Sequence, residues 1–347
     1  MKDNKRNRQN RIITTTVFFM ILVAMMVSFI NGGNVNEEKA DGMIAATVTT
    51  AETATEDYWH LTRISVPQAQ LITTGSEEVI IAVLDTGIND SHPVLEGRII
   101  AEVNFTDSAD LTDHNGHGTH VAGAIAGGIT EMGIINGIAY DCSLLNVKVA
   151  NDDGTVNVES VIEGIRWAAD NGADIINISL TIYHDNQALE DATDYAWEKG
   201  ALVIAAAGNN RSDGNAYPAM YPNAVAVAAT DTNDELAAYS NYGEWTDISA
   251  PGTAITSSVL EKGYAAMTGT SMAAALVSGE AALIFGLAVD MNQDGRVNDE
   301  VKTALLEGTV TVDGEQETAI NMANAVEAID TVFAEQYQYI MQAYTYR

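Results

Sequence analysis

Asp85, His117 and Ser271 are the side chains of this sequence with which chemistry could be done. Asp85 lies in Val83-Leu84-Asp85-Thr86-Gly87, His117 in Asn115-Gly116-His117-Gly118-Thr119-His120-Val121-Ala122-Gly123, and Ser271 in Gly269-Thr270-Ser271-Met272-Ala273. A serine hydroxyl is a poor nucleophile at neutral pH. It becomes a good one when an imidazole takes its proton and a carboxylate orients that imidazole. The three stretches supply one group of each kind, in an order (Asp, His, Ser) in which this acid–base–nucleophile set is known to recur. They are far apart in sequence, so only a fold can bring them together. His120 stands three residues beyond His117 and raises the thought of a metal pair, but no third ligand pattern accompanies it. His114 reads as a surface residue, and His92 precedes Pro93 in a turn.

The elements around these residues are those of an α/β fold. Glu78 to Leu84 is a short, β-branched apolar run that reads as a buried parallel strand closed by Asp85. The carboxyl end of such a strand is where open α/β sheets place their chemistry. His117 opens a helix of small residues. Leu144 to Ala150, Asp174 to Leu180, Ala201 to Ala207 and Ala224 to Thr230 read as further strands, and Val158 to Asn171 and Ala188 to Lys199 as helices. Ser271 begins a small and apolar run from Met272 to Ala288, read as a central buried helix whose positive dipole end meets the serine. Strands alternating with helices predict a three-layer α/β architecture, with a mainly parallel sheet covered by helices on both faces.

Taken together, and with Val203-Ile204-Ala205-Ala206-Ala207-Gly208-Asn209 as a fourth stretch, the motifs resemble those of the subtilisin-like serine peptidases, the subtilases, from about Tyr58 to about Ile329. The resemblance implies a subtilisin-like fold and peptide-bond hydrolysis through an acyl-enzyme. Ser271 is then the nucleophile, His117 the general base and later acid, Asp85 the group that orients His117, and Asn209 a donor to the tetrahedral oxyanion. It also implies that a peptide or protein substrate is bound as an added β-strand between Val149 to Val156 and Ser179 to Ile182, touching Val149, Asn151, Asp153, Gly154, Ser179, Leu180 and Thr181. Ala206, Ala207 and Gly208 would wall the S1 pocket. Three departures stand out. Thr181 and Ile182 replace a usual Gly-Gly, which narrows or reshapes the S1 rim. Ala275 and Leu276 stand where proline and histidine are frequent. Val94 takes the place of a calcium-binding aspartate. Asp152 and Asp153 either favour a basic side chain at S2–S4 or form a solvated acidic turn. The reading from another class is a catalytically silent protein that captures peptides without cutting them.

The remaining features bound where the protein works. The 16 basic and 48 acidic side chains give a formal charge of −32, which repels nucleic acid and anionic membranes. Its simplest consequence is solubility. Five of the basic residues fall among the first eleven and precede an uncharged apolar run, Ile12 to Ile30. That pattern predicts export, with residues 1–33 as a cleaved signal or an uncleaved anchor that inserts in the membrane. The protein is then extracellular, either secreted or tethered to the outer face of the cell membrane. Residues 34–57 read as an acidic flexible linker, too short for the folded propeptide of many secreted subtilases. Residues 58–330 read as the catalytic domain and 331–347 as a Tyr- and Gln-rich tail of no assigned role. Cys142 is the single cysteine, so no internal disulfide forms, and it reads as a buried small residue. No cofactor is required for the chemistry. Asp290, Asn292, Asp294 and Asn298, with Gly295 between, have the spacing of an EF-hand-like loop without its twelfth-position acid. That pattern fits either a structural calcium ion or a plain turn between helices. A monomer is expected. Selective processing of an exported peptide and broad degradation both remain open.

Overall fold

A computed structural model describes residues 42–44, 47–49, 58–129, 137–313 and 319–345. All of them belong to one compact unit, Ala40–Arg347. The apolar run Ile12 to Ile30 lies outside the described residues. Among the described residues, no helix is long and apolar enough to cross a membrane.

In chain order the elements are β1 (Gly42–Ile44), β2 (Thr47–Thr49), α1 (Trp59–Arg63), α2 (Val66–Ala69), β3 (Ile80–Asp85), β4 (Ile99–Asn104), α3 (His117–Ala126), β5 (Ser143–Lys148), β6 (Thr155–Val156), α4 (Val158–Asp170), β7 (Ile175–Ile178), β8 (Leu180–Ile182), α5 (Gln187–Glu198), β9 (Leu202–Ala206), β10 (Ala224–Thr230), β11 (Ile248–Pro251), β12 (Ile255–Ser258), β13 (Tyr264–Thr268), α6 (Thr270–Phe285), α7 (Asn298–Glu307), β14 (Val310–Asp313), β15 (Ala319–Met322) and α8 (Ala325–Thr345). Nine strands form the main sheet, in the order β14-β15-β11-β10-β9-β7-β3-β5-β4. Every neighbouring pair in it is parallel except β14 with β15.

The parallel strands read as unbroken apolar runs because both of their faces are covered. Ile81 and Val83 of β3 point into a core shared with α3, α6 and α8, whereas Ala82 and Leu84 point into a second core with α4 and α5. The same division follows the odd and even positions of β9 and β10. This is the three-layer α/β sandwich expected from the alternation of elements. α6 is buried along its whole length, as a helix apolar on every side must be. The two helices of the other layer start at asparagines whose side chains accept backbone N–H groups: Asn157 from Glu159, and Asn186 from Ala188 and Leu189.

Two parts of the architecture differ from the sequence expectation. The tail expected from residue 331 is continuous with helix, since α8 runs without a break from Ala325. The stretch expected to be a flexible linker contains two paired strands. β1 is the middle strand of a small antiparallel sheet, β6-β1-β8, and β2 joins the β12–β13 hairpin in another.

Candidate active site

The chemistry-bearing residues converge at the carboxyl ends of the central strands. Asp85 is the last residue of β3, buried, and its Oδ1 accepts the backbone N–H of Thr86 at 2.7 Å. His117 is the first residue of α3. Its Nδ1 lies 2.8 Å from Asp85 Oδ1 and 3.0 Å from Oδ2, close enough for the carboxylate to hold the Nδ1–H tautomer. His117 Nε2 is buried and has no hydrogen-bond partner among the described residues. The approach of α3 to β3 depends on Gly118, because a Cβ there would stand 2.1 Å from Gly87 O and 3.1 Å from Asp85 Oδ1.

A carboxylate absent from the sequence expectations secures this corner. Asp113 is buried, and its Oδ1 accepts the Asn115 and Gly116 amides at 2.9 and 2.8 Å and the Thr86 hydroxyl at 2.9 Å. Its Oδ2 accepts the Thr119 amide and hydroxyl at 2.9 and 2.6 Å. One negative side chain thus satisfies amide donors at the start of α3 and ties them to the residue after Asp85. An acidic residue just ahead of a small-residue helix is the signal that could have found it. Lys148 is a second residue not anticipated. Its fully buried ammonium donates to Thr86 O and to Asp152 Oδ1, which joins the ends of β3 and β5.

Ser271 is the second residue of α6. Its Oγ donates to Ser179 O at 2.9 Å, while Ser179 Oγ donates to Ser271 O at 3.0 Å. Ser179 follows β7, the neighbour of β3 in the sheet, and it is held by Asn177, whose Oδ1 also accepts Ser278 Oγ from α6 at 3.0 Å. Asn209 lies three residues beyond β9. Its Oδ1 accepts the Thr270 amide at 2.9 Å and the Thr270 hydroxyl at 3.0 Å, so the orientation of the carboxamide is set from the residue before Ser271. Gly208 precedes it at φ +98°, and a Cβ there would meet Asn241 Nδ2 at 2.6 Å. The Asn241 side chain spans the bend, donating to Ala207 O and accepting the Asn210 and Ser212 amides.

The two segments expected to hold a peptide flank one strand-wide slot. Val149 and Ala150 are hydrogen-bonded by their amides to Asp85 O, and Asn151 and Gly154 form the turn into β6. Leu180 and Thr181 lie on β8. Thr181 Oγ1 is buried without a partner among the described residues, 3.3 Å from where a Cβ of Gly208 would stand. The substituted rim therefore lies directly against the Ala206-Ala207-Gly208 wall. Asp152 is committed to Lys148, whereas Asp153 is exposed and its Oδ1 accepts the Thr155 amide and hydroxyl.

The other titratable groups are structural. His120 Nε2 donates to Ile255 O at 2.9 Å, with Ala265 O at 3.2 Å, and this pins α3 to the β12–β13 hairpin. Burial pushes its pKa down to about 3, with His117 adding to the effect, so the ring stays neutral. His114 is exposed, with Nε2 3.0 Å from Asp110. Burial pushes the Cys142 thiol up to about 11, which makes it inert. The loop with EF-hand-like spacing is knitted by its own hydrogen bonds. Asp290 accepts the Gln293, Asp294 and Gly295 amides, and Asn292 accepts that of Asp294 and donates to Asp299. Asp294 faces the Arg296 guanidinium at 2.6 Å, and Asn298 donates to Trp197 O at 3.0 Å. Asp294 thus already has a cation against it, and Asn298 is turned to the C-terminal end of α5. Among the described residues, no cluster of three or more His, Cys, Asp or Glu side chains could hold a metal.

Comparison with known proteins agrees with this geometry. The model of the subtilase family matches residues 76–323. The chain is 42% identical over 235 residues to the Thermophilic serine proteinase of Bacillus sp. (strain AK1), covering 67% of this chain and 57% of that protein. It is 42% identical over 223 residues to Thermitase of Thermoactinomyces vulgaris, covering 64% of this chain and 80% of that one. It is 41% identical over 227 residues to Subtilisin BL of Lederbergia lenta, covering 65% and 83%. The match thus spans little more than half of the first of these proteins and about four fifths of the other two. A family match across most of the chain, a sheet with the motif residues at its carboxyl ends, and an Asp–His pair beside a helix-initiating serine lead to one conclusion: this chain belongs to the subtilase family of serine peptidases.

Proposed function

We propose that this protein is a serine endopeptidase in which Ser271, His117, Asp85 and Asn209 carry the reaction. The observation that supports it most directly is the His117–Asp85 pair, with the outer imidazole nitrogen buried beside the element that carries Ser271. In the first step the Ser271 hydroxyl turns from Ser179 O to His117 Nε2. Its oxygen then attacks the scissile carbonyl as Nε2 takes the proton. Asp85 stabilises the imidazolium, while the Ser271 amide and Asn209 Nδ2 donate to the oxyanion. The imidazolium gives its proton to the leaving amine, and water hydrolyses the ester by the same route in reverse. In subtilisin, losing the equivalent asparagine donor lowers turnover about 10²–10³-fold.

The basic head and apolar run of the N-terminus support an exported enzyme. The Thr181 hydroxyl at the S1 rim supports a pocket for small side chains, and hence selective rather than broad cleavage. The substrate is a peptide or protein threaded as a strand between β6 and β8. The test is labelling by a fluorophosphonate probe together with cleavage of a mixed peptide library. The wild type is expected to be labelled and to cut after small residues. Ser271→Ala is expected to do neither, and labelling that persists in this variant removes Ser271 as the nucleophile. A well-folded wild type that binds library peptides but cuts none would establish the silent reading instead.

A further inference from the structure

Two polar side chains interrupt the apolar core behind the nucleophile. Asn177 lies in β7 opposite Val83 of β3 and Ile204 of β9, two residues of the core shared with α6. Ser278 lies on α6, seven residues beyond Ser271 and so about two turns along the same face. Both are fully buried. A buried polar group is destabilising unless it is hydrogen-bonded. These two meet, with Ser278 Oγ donating to Asn177 Oδ1 at 3.0 Å.

That contact sets the direction of the hydrogen bonds that follow. A carboxamide whose oxygen accepts from Ser278 presents its nitrogen on the other side. Asn177 Nδ2 accordingly donates to Ser179 Oγ at 2.9 Å. Ser179 Oγ in turn gives its one proton to Ser271 O at 3.0 Å. The Ser179 carbonyl accepts the Ser271 hydroxyl at 2.9 Å, so one residue holds the nucleophile at both ends. With the Ser278 hydroxyl removed, the Asn177 carboxamide is free to turn over. Its oxygen then accepts the Ser179 proton, and the bond to Ser271 O is lost.

We propose that Ser278 and Asn177 are positioning residues for Ser271, acting through Ser179. The inference rests on the peptidase reading above and extends it to the residues behind the nucleophile. Neither residue touches the reacting atoms. Their role follows from where the first turn of α6 is anchored. Thr270 ties that turn to Asn209 beyond β9, and Ser179 ties it to the end of β7. β7 lies between β9 and β3, the strand that ends in Asp85. The serine is therefore placed against the same sheet that carries the carboxylate partner of His117. Loss of the β7 anchor lets the turn drift, and with it both Ser271 Oγ and the Ser271 amide assigned to the oxyanion. A displacement on the order of 1 Å at a reacting group lowers rates by up to about 10²-fold.

The test uses the full chain as wild type, Ser278→Ala, Ser179→Ala and the double variant, with Asn177→Leu breaking the relay at its middle by an apolar residue of similar size. Thermal melts set a working temperature well below every transition. Two rates are then read: labelling by a small fluorophosphonate, which makes no subsite contacts and reports the nucleophile alone, and steady-state cleavage of a peptide. Ser278→Ala and Asn177→Leu are expected to lower labelling and kcat together by about tenfold, with KM within about twofold of wild type. The double variant should be no slower than Ser179→Ala, because a relay cut twice is cut once. Losses that multiply in the double variant overturn the inference, since Ser278 then acts by another route. A raised KM with labelling unchanged overturns it too, and so do variants as fast as wild type; in each case the peptidase reading stands. Wild type that is neither labelled nor able to cut the peptide overturns both.

Discussion

Glu280 is fully buried in α6, nine residues beyond Ser271 on the same helix, and it makes stability depend on pH in a way that can be worked out. Neither carboxylate oxygen has a hydrogen bond of normal geometry among the described residues. Burial pushes the carboxyl up from its ordinary 4.5 to about 8, and the Asn324 backbone amide offsets only part of that. In the unfolded chain the group loses its proton near 4.5, whereas in the folded chain it keeps it until about 8. A group whose folded pKa is raised favours the folded state fully at low pH, and that advantage is lost as pH rises through the folded value. At about 1.4 kcal/mol for each pH unit, the loss across this window is roughly 5 kcal/mol. Glu280→Gln keeps the shape and removes the titration. Urea unfolding of Glu280→Gln in a Ser271→Ala background, which prevents self-digestion, is compared with Ser271→Ala alone from pH 4.5 to 8.5. The two proteins should agree within about 1 kcal/mol at the acid end, where a neutral carboxyl and an amide are alike. They should diverge steadily above it, with the glutamine variant more stable by several kcal/mol at pH 8. All other titrating groups are common to both and cancel. Parallel curves would refute the reasoning, since they would mean that Glu280 finds a partner or water on ionising.

Three further outcomes follow from the site. Asp85→Asn should lower kcat about 10⁴-fold with little change in KM, the loss known for this change in an Asp–His–Ser set on an unrelated fold; a loss below tenfold in peptide hydrolysis would mean that His117 is oriented by something else. Asp113→Ala strands the Asn115, Gly116 and Thr119 amides in a buried corner, so unfolding free energy should fall by about 3 kcal/mol or more, with kcat reduced as α3 loosens; thermal melts and peptide kinetics check both. Asp294→Ala should leave any calcium dependence of the melting temperature as it is in wild type, because that carboxylate serves Arg296; a calcium effect abolished by this change would restore the loop as an ion site.

What could be read in the sequence was what depends on a residue's own type or on local periodicity. β10 was expected at Ala224 to Thr230 and lies there, because an apolar run buried on both faces needs no knowledge of its neighbours. The helix beginning at Ser271 was legible for the same reason; the four motif residues were picked by type, and the structure brings two of them, Asp85 and His117, into contact. What could not be read depends on partners. Lys148 sits in a strand where a cation looks out of place until Asp152 and Thr86 O are brought beside it by the turn. Asp294 looks like an ion ligand until Arg296, two residues on, proves to be its counter-charge.

β1 and β2 are the extreme case. Gly42–Ile44 and Thr47–Thr49 have no pattern that distinguishes them from a linker, because three residues cannot show alternation, and strand preference reflects the surface offered more than the residue. Here that surface is the pair β6 and β8 on one side and β13 on the other, edges that β1 and β2 cover. An open edge of that kind accepts any chain of suitable polarity that reaches it, and the nearest is the protein's own N-terminal segment. The structure of the linker is therefore written in the catalytic domain, in the edges it offers and not in the linker's own residues.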